Sequence, residues 1–137
     1  MSVVIDNSVF IAWCMGKEDD PTVYNTMQRV ADEGGVVPRI WWYELRNALL
    51  ANERRGRISQ QQVSDTLADS QELDIYIDNE HDDALILDLA RRFKLTVYDS
   101  AYLEVALRRS MPLATLDKSL REAAENIGVV IAHQARK

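Results

Sequence analysis

Apolar positions along the chain follow two periods. Short runs of β-branched and aliphatic residues read as strands: "SVVI" (Ser2–Ile5), "VVP" (Val36–Pro38), "LDIYI" (Leu73–Ile77), "LTVY" (Leu95–Tyr98), "PLATL" (Pro112–Leu116) and "VVIA" (Val129–Ala132). Between them the pattern predicts helices over about 7–14, up to Glu33, 41–55, 60–70, 80–93, 99–109 and 118–126. Local punctuation agrees with these limits. Pro21 sits near a helix start, Gly34-Gly35 stop the helix before them, Ser59 is placed to cap, and Gly56 and Gly128 follow helix ends. Strands alternating with helices predict an α/β fold with a mostly parallel sheet covered by helices. The chain has 137 residues and 47% hydrophobic content. It shows no repeat, linker or low-complexity tract, so one domain over 1–137 is expected.

Composition narrows the function classes. No apolar run approaches the ~20 residues that span a bilayer, and the N-terminus lacks the basic-then-apolar pattern of a signal peptide. Cys14 is the only cysteine, so there is no internal disulfide, and a reducing cytoplasm fits. His81 and His133 lie far apart, which argues against a structural zinc site. No glycine-rich phosphate loop is present. The formal net charge of −6 does not advertise nucleic-acid binding.

The charge directs attention to particular acids. Asp6, Asp99 and Asp117 each follow a predicted strand and open a predicted helix. In open parallel sheets, ligands bind beyond the carboxyl ends of the strands, so connectivity predicts that these acids gather at one edge. Helix capping is the plain alternative, since Asp is a favoured N-cap. Capping alone leaves unexplained why Asp is used three times with Ser8, Ser100 and Thr115 within two residues. Glu44 adds a fourth carboxylate. It falls about 40° from Ala48, at the margin of the apolar arc of Trp41, Leu45, Ala48 and Leu49. A solvated helix-edge residue is its alternative reading. Gathered carboxylates repel unless protons or a cation compensate. Oxygen ligands without His or Cys clusters suit Mg²⁺ or Mn²⁺, and such an ion supports phosphodiester hydrolysis without a protein nucleophile.

The stretches "VVIDNSVFIAW", "YELRNALL", "LTVYDSAYLEVALRR" and "PLATLDKSLREAAENIGV", in this order, resemble the four acid motifs of the PIN-domain ribonucleases. Among these they are similar to the VapC-type toxins of toxin–antitoxin pairs. The resemblance covers nearly the whole chain. It implies an α/β/α sandwich and Mg²⁺- or Mn²⁺-dependent endoribonuclease activity. It also implies homodimerisation and neutralisation by a cognate antitoxin protein. It carries metal ligation, direct or through water, to Asp6, Glu44, Asp99 and Asp117. Ser8 and Thr115 take supporting roles, orienting carboxylates or waters, and Asn47 matches a position the family often fills with Asn. The first helix, ending at Trp13 and Cys14, is implied to form part of an antitoxin groove. The chain departs from the family at Asn7 and Ser100, where Thr or Ala and Ala are frequent.

Basic residues temper the acidic balance locally. Arg54, Arg55 and Arg57 follow the Glu44 helix, and Arg39, Arg46, Lys118 and Arg121 lie near the acid motifs. Each is either a solvated charge or a phosphate contact. Trp41, Trp42 and Tyr43 are consecutive and cannot all face one core. Trp41 fits the apolar arc best, which leaves Trp42 or Tyr43 partly exposed. Three other readings stand beside the toxin nuclease. They are a binding module without turnover, a phosphoaspartate enzyme, for which Lys94 and Lys118 are present but Lys118, starting a helix beside Asp117, suits the role poorly, and an RNA-processing nuclease outside any toxin–antitoxin pair.

Overall fold

The computed structural model describes residues 2–17 and 19–132. His133 therefore lies outside the described residues. In chain order the elements are β1 (Val3–Ile5), α1 (Asn7–Cys14), α2 (Pro21–Glu33), β2 (Gly35–Pro38), α3 (Ile40–Arg54) and α4 (Gln60–Gln71). They continue with β3 (Ile75–Asp78), α5 (Asp83–Phe93), α6 (Val97–Arg109), β4 (Leu113–Ala114) and α7 (Lys118–Asn126).

Local chemistry explains several of these boundaries. α2 starts where the Asp20 side chain accepts from the backbone N–H groups of Thr22 and Val23, with Pro21 in the first turn. α4 starts with a reciprocal Ser59–Gln62 capping box. Gly34 ends α2 at φ +80°, and Gly35 then enters the sheet where a Cβ would stand 2.8 Å from Ile5 Cδ1. The pair is needed for both the turn and the close approach of strands.

The strands form one sheet in the order β3-β2-β1-β4, and every pairing among them is parallel. Val4 lies opposite Val36 on one side and Leu113 on the other. β1, β2 and β4 are fully buried, as expected for strands covered by helices. One helical group joins α1, α2 and α3; another joins α5, α6 and α7, with α6 against β1 and β2. Phe10 meets Trp13 and Trp41 edge-on, which ties α1 to α3. From β1 the chain steps to β2 and β3, then returns to place β4 on the other side of β1. The strand order therefore reverses between β1 and β4, the place where open α/β sheets bind ligands.

Two expected strands are corrected. Leu95–Tyr98 is not a strand: Thr96 is the N-cap of α6, and Val97 and Tyr98 are its first two residues. Its β-branched composition imitated a strand, while "TVYD" is a capping pattern, Thr followed three residues later by an acid. Val129–Ala132 forms only a single parallel bridge, Leu113 to Ile131, because β4 offers just two residues to pair with.

Candidate acid cleft at the strand ends

Asp6 follows β1 directly and is buried. Its backbone N–H donates to Ala114 O of β4, so the two strand ends are locked side by side. Ser8 Oγ and Thr115 Oγ1 each donate to Asp6 Oδ2 at 2.7 Å. The same hydroxyl oxygens accept from the backbone N–H groups of Leu116 and Asp117. Ser8 and Thr115 thus fix the Asp6 carboxylate and the loop into α7 together. Both spend their protons on Oδ2, leaving Oδ1 without a side-chain donor.

The other acids reach the cleft from helices. Asp117 is the N-cap of α7 and accepts from Leu120 N. Asp99 is not at a strand end but in the first turn of α6, where its backbone N–H is held by the Thr96 hydroxyl. Glu44 projects from α3, and its Oε1 accepts from the Tyr102 hydroxyl at 2.7 Å. Capping therefore explains only Asp117; Asp6 makes no side-chain cap bond.

Electrostatics bring the four together. Burial pushes the Asp6 carboxyl up, against the hydrogen bonds of Ser8 and Thr115, and the charge of Asp117 adds to the rise. Burial likewise raises Glu44, opposed by the Tyr102 hydrogen bond and reinforced by Asp6 and Asp99. Asp99 is raised by burial, then by Asp6 and Asp117. Each carboxylate thus lies in the field of others with no cation to offset it.

Among the described residues, no three His, Cys, Asp or Glu side chains converge closely enough to hold a metal ion. The donors suit a hard divalent cation by type, but their spacing is looser than a closed site. Asn7 Oδ1 and Ser100 Oγ are buried without a hydrogen-bond partner, and each residue follows a cleft acid. Unsatisfied polar atoms beside unneutralised acids are what a hydrated cation would complete.

Tyr102 escaped the sequence reading. It is fully buried, and burial followed by the Glu44 charge drives its hydroxyl far above its ordinary range, so it remains a donor. Its signal was position, three residues after Asp99 and hence on the same helix face. The expected exposure of Trp42 and Tyr43 holds at 41% and 60%, and Trp41 is buried. Asn47 and Arg54 are exposed on α3, and Arg55 and Arg57 are exposed just after it. Arg46 covers the Trp42 ring, 3.6 Å from its centroid. Lys118 lies 3.9 Å from Glu122, Arg121 is half-buried, and Trp13 and Cys14 are half-buried at the end of α1.

The fold and the order of its acid-bearing elements agree with the comparisons. The PIN domain family matches residues 3–126, and the chain belongs to that family. PIN domains are in general metal-dependent nucleases. Among solved structures, "Crystal structure of PAE2754 from Pyrobaculum aerophilum" is similar at 21% identity and a TM-score of 0.64, covering 90% of this chain and 86% of that one. That likeness bears on the fold alone. No curated protein matches. Among the described residues no helix is long and apolar enough to cross a membrane.

Proposed function

We propose that this protein is an endoribonuclease that hydrolyses RNA phosphodiester bonds with Mg²⁺ or Mn²⁺, and that it is the toxin of a toxin–antitoxin pair. The observation that carries the nuclease reading is the mutual field of Asp6, Glu44, Asp99 and Asp117 at the β1/β4 switch point. These acids would hold the cation, directly or through water. When bound, it would supply an activated water and offset charge developing on the phosphate. Ser8 and Thr115 both hold Asp6 through Oδ2, and Tyr102 holds Glu44. The toxin role, a cognate antitoxin, a homodimer and a cytoplasmic setting follow from the resemblance of the motifs. The exposed Trp42 and Tyr43 on α3 add an apolar foothold for a partner.

The test is RNA cleavage by purified protein with added Mn²⁺. Wild type should cut, and Asp99→Asn should lose at least about 100-fold of the rate while its circular dichroism is unchanged. Undiminished cleavage by Asp99→Asn would remove the carboxylates from the mechanism. Co-purification with the product of an adjacent short gene, releasing activity on its removal, tests the toxin assignment separately.

A further inference from the structure

A second feature stands at the carboxyl edge of the sheet, beyond β2 and β3. It is a cavity of about 150 Å³ whose walls are Pro38, Ile40, Ile86 and Ala101. Its rim carries Arg39, Asn79, Glu80 and His81. Two of its elements also carry cleft acids. Ile40 is one turn before Glu44 on α3, and Ala101 is two residues after Asp99 on α6.

The polar rim is held in place and left unspent. Asn79 Oδ1 accepts from Arg39 Nε at 3.1 Å, which fixes the guanidinium and leaves its two terminal nitrogens without a partner among the described residues. Glu80 is exposed and its carboxylate has no ion pair among the described residues. The two buried acids that also line the cavity are already neutralised: Arg108 binds Asp78 and Glu104, and Arg109 binds Asp78. His81 lies 3.3 Å from Asp83. The cavity is thus lined by one exposed guanidinium, one exposed carboxylate and apolar walls.

Those features match one base. A guanidinium pairs bidentately with the O6 and N7 acceptors of guanine, and a carboxylate accepts from its N1–H and 2-amino group. Proteins read single-stranded RNA by taking splayed bases into such sites. We propose that this cavity is a subsite for a single base, guanine by preference, on the RNA strand cut at the acid cleft. Arg39 and Glu80 are then specificity-determining residues. The proposal rests on the nuclease reading for its substrate.

The experiment has two arms. In the first, short RNAs with one guanine moved through the positions around the scissile bond are compared with the same RNAs carrying adenine or inosine there. Wild type should favour guanine at one fixed position by at least about tenfold in kcat/KM. Arg39→Ala and Arg39→Lys should erase the preference, raising KM with kcat little changed, and Glu80→Gln should erase the discrimination against inosine. In the second, guanosine 5′-monophosphate is titrated without metal and amide shifts of Asn79, Ile86 and Ala101 are followed. They should move in wild type, far less with adenosine 5′-monophosphate, and not in Arg39→Ala. A wild type that cleaves RNA with no base preference and shows no such shifts overturns the subsite and keeps the nuclease. A wild type that cuts no RNA but shows the guanosine-dependent shifts keeps the subsite and overturns the nuclease. A guanine preference that survives in both Arg39→Ala and Glu80→Gln places recognition elsewhere.

Discussion

Two groups of acids occupy this molecule, and they are built on opposite principles. Asp78 and Glu104 are buried, and every charge is answered. Arg108 reaches both carboxylates, Arg109 reaches Asp78, and the backbone N–H groups of Glu80 and Asp82 fill remaining sites. This network ties the end of β3 and the following loop to α6. Asp6, Glu44, Asp99 and Asp117 also collect charge, but among the described residues no arginine pairs with them. The contrast appears in the proton affinities. Burial acts to raise Asp78, yet hydrogen bonds from Arg109, Glu80 N–H and Arg108 outweigh it and its carboxyl is lowered. In the cleft nothing outweighs burial and like charge, so Asp6, Glu44 and Asp99 are raised. One cluster is neutralised within the fold; in the other, burial and like charge prevail among the described residues.

The comparison breaks most directly under neutralisation. Asp78→Asn strands Arg109 beside a buried amide, leaves Arg108 to Glu104 alone, and should cost about 3 kcal/mol, read by urea unfolding. Asp99→Asn removes one member of a repelling set, and without metal it should leave stability unchanged or higher. The same chemical change thus acts in opposite directions. A loss at Asp99 as large as that at Asp78 would mean that the cleft acids are structural.

A smaller effect sharpens the contrast. Mg²⁺ or Mn²⁺ in tenfold excess over its Kd should stabilise wild type by about 1.4 kcal/mol, and Asp6→Asn clearly less, read as a shift in Tm. Equal shifts would move the metal elsewhere. Without metal, acid titration should separate the clusters by sign. The lowered Asp78 supplies stability above its ordinary value of 3.8, and that stability is lost as pH falls through the folded value. The raised acids favour the fold while protonated, and that contribution is lost as pH rises through their elevated values. Wild type should therefore lose stability on both sides of a mildly acidic maximum. Asp99→Asn should flatten the alkaline side and Asp78→Asn the acid side.

The two clusters also differ in how visible they are in sequence. Ordered motifs and strand–helix alternation announced the cleft, and the helix limits of α1 and α7 match the structure. The Asp78–Glu104–Arg108–Arg109 network was not foreseen, because Asp78 is 30 and 31 residues from its arginines, and the Glu104–Arg108 pair, four residues apart, lies on a face whose burial depends on how α5 meets α6. Asp99 stands in the field of Asp6 and Asp117, but not by the strand end expected for it. A real strand was expected before it, whereas Thr96 begins the helix two residues earlier than the expected Asp99 start. Tertiary packing decided this, since β-branched composition suits both a strand and a capped first turn. The same limit explains Tyr102, whose role needs α6 and α3 to be side by side.

The smallest expected effect isolates Tyr102. Among the described residues its hydroxyl supplies the side-chain hydrogen bond that lowers Glu44, against burial and the charges of Asp6 and Asp99. Tyr102→Phe deletes that donor and preserves the ring packed in the core. Glu44 must be ionised to hold a cation, so its carboxyl value sets part of the acid limb of the pH–rate profile. Without the donor the carboxyl rises further, and the limb should move to higher pH by up to about one unit. At alkaline pH, where Glu44 is ionised in both proteins, the rates should approach each other. Added metal competes with the proton, so raising Mn²⁺ should pull the shifted limb back. A uniform fall in rate at every pH, with the limb unmoved, would mean that Tyr102 positions Glu44 without tuning it.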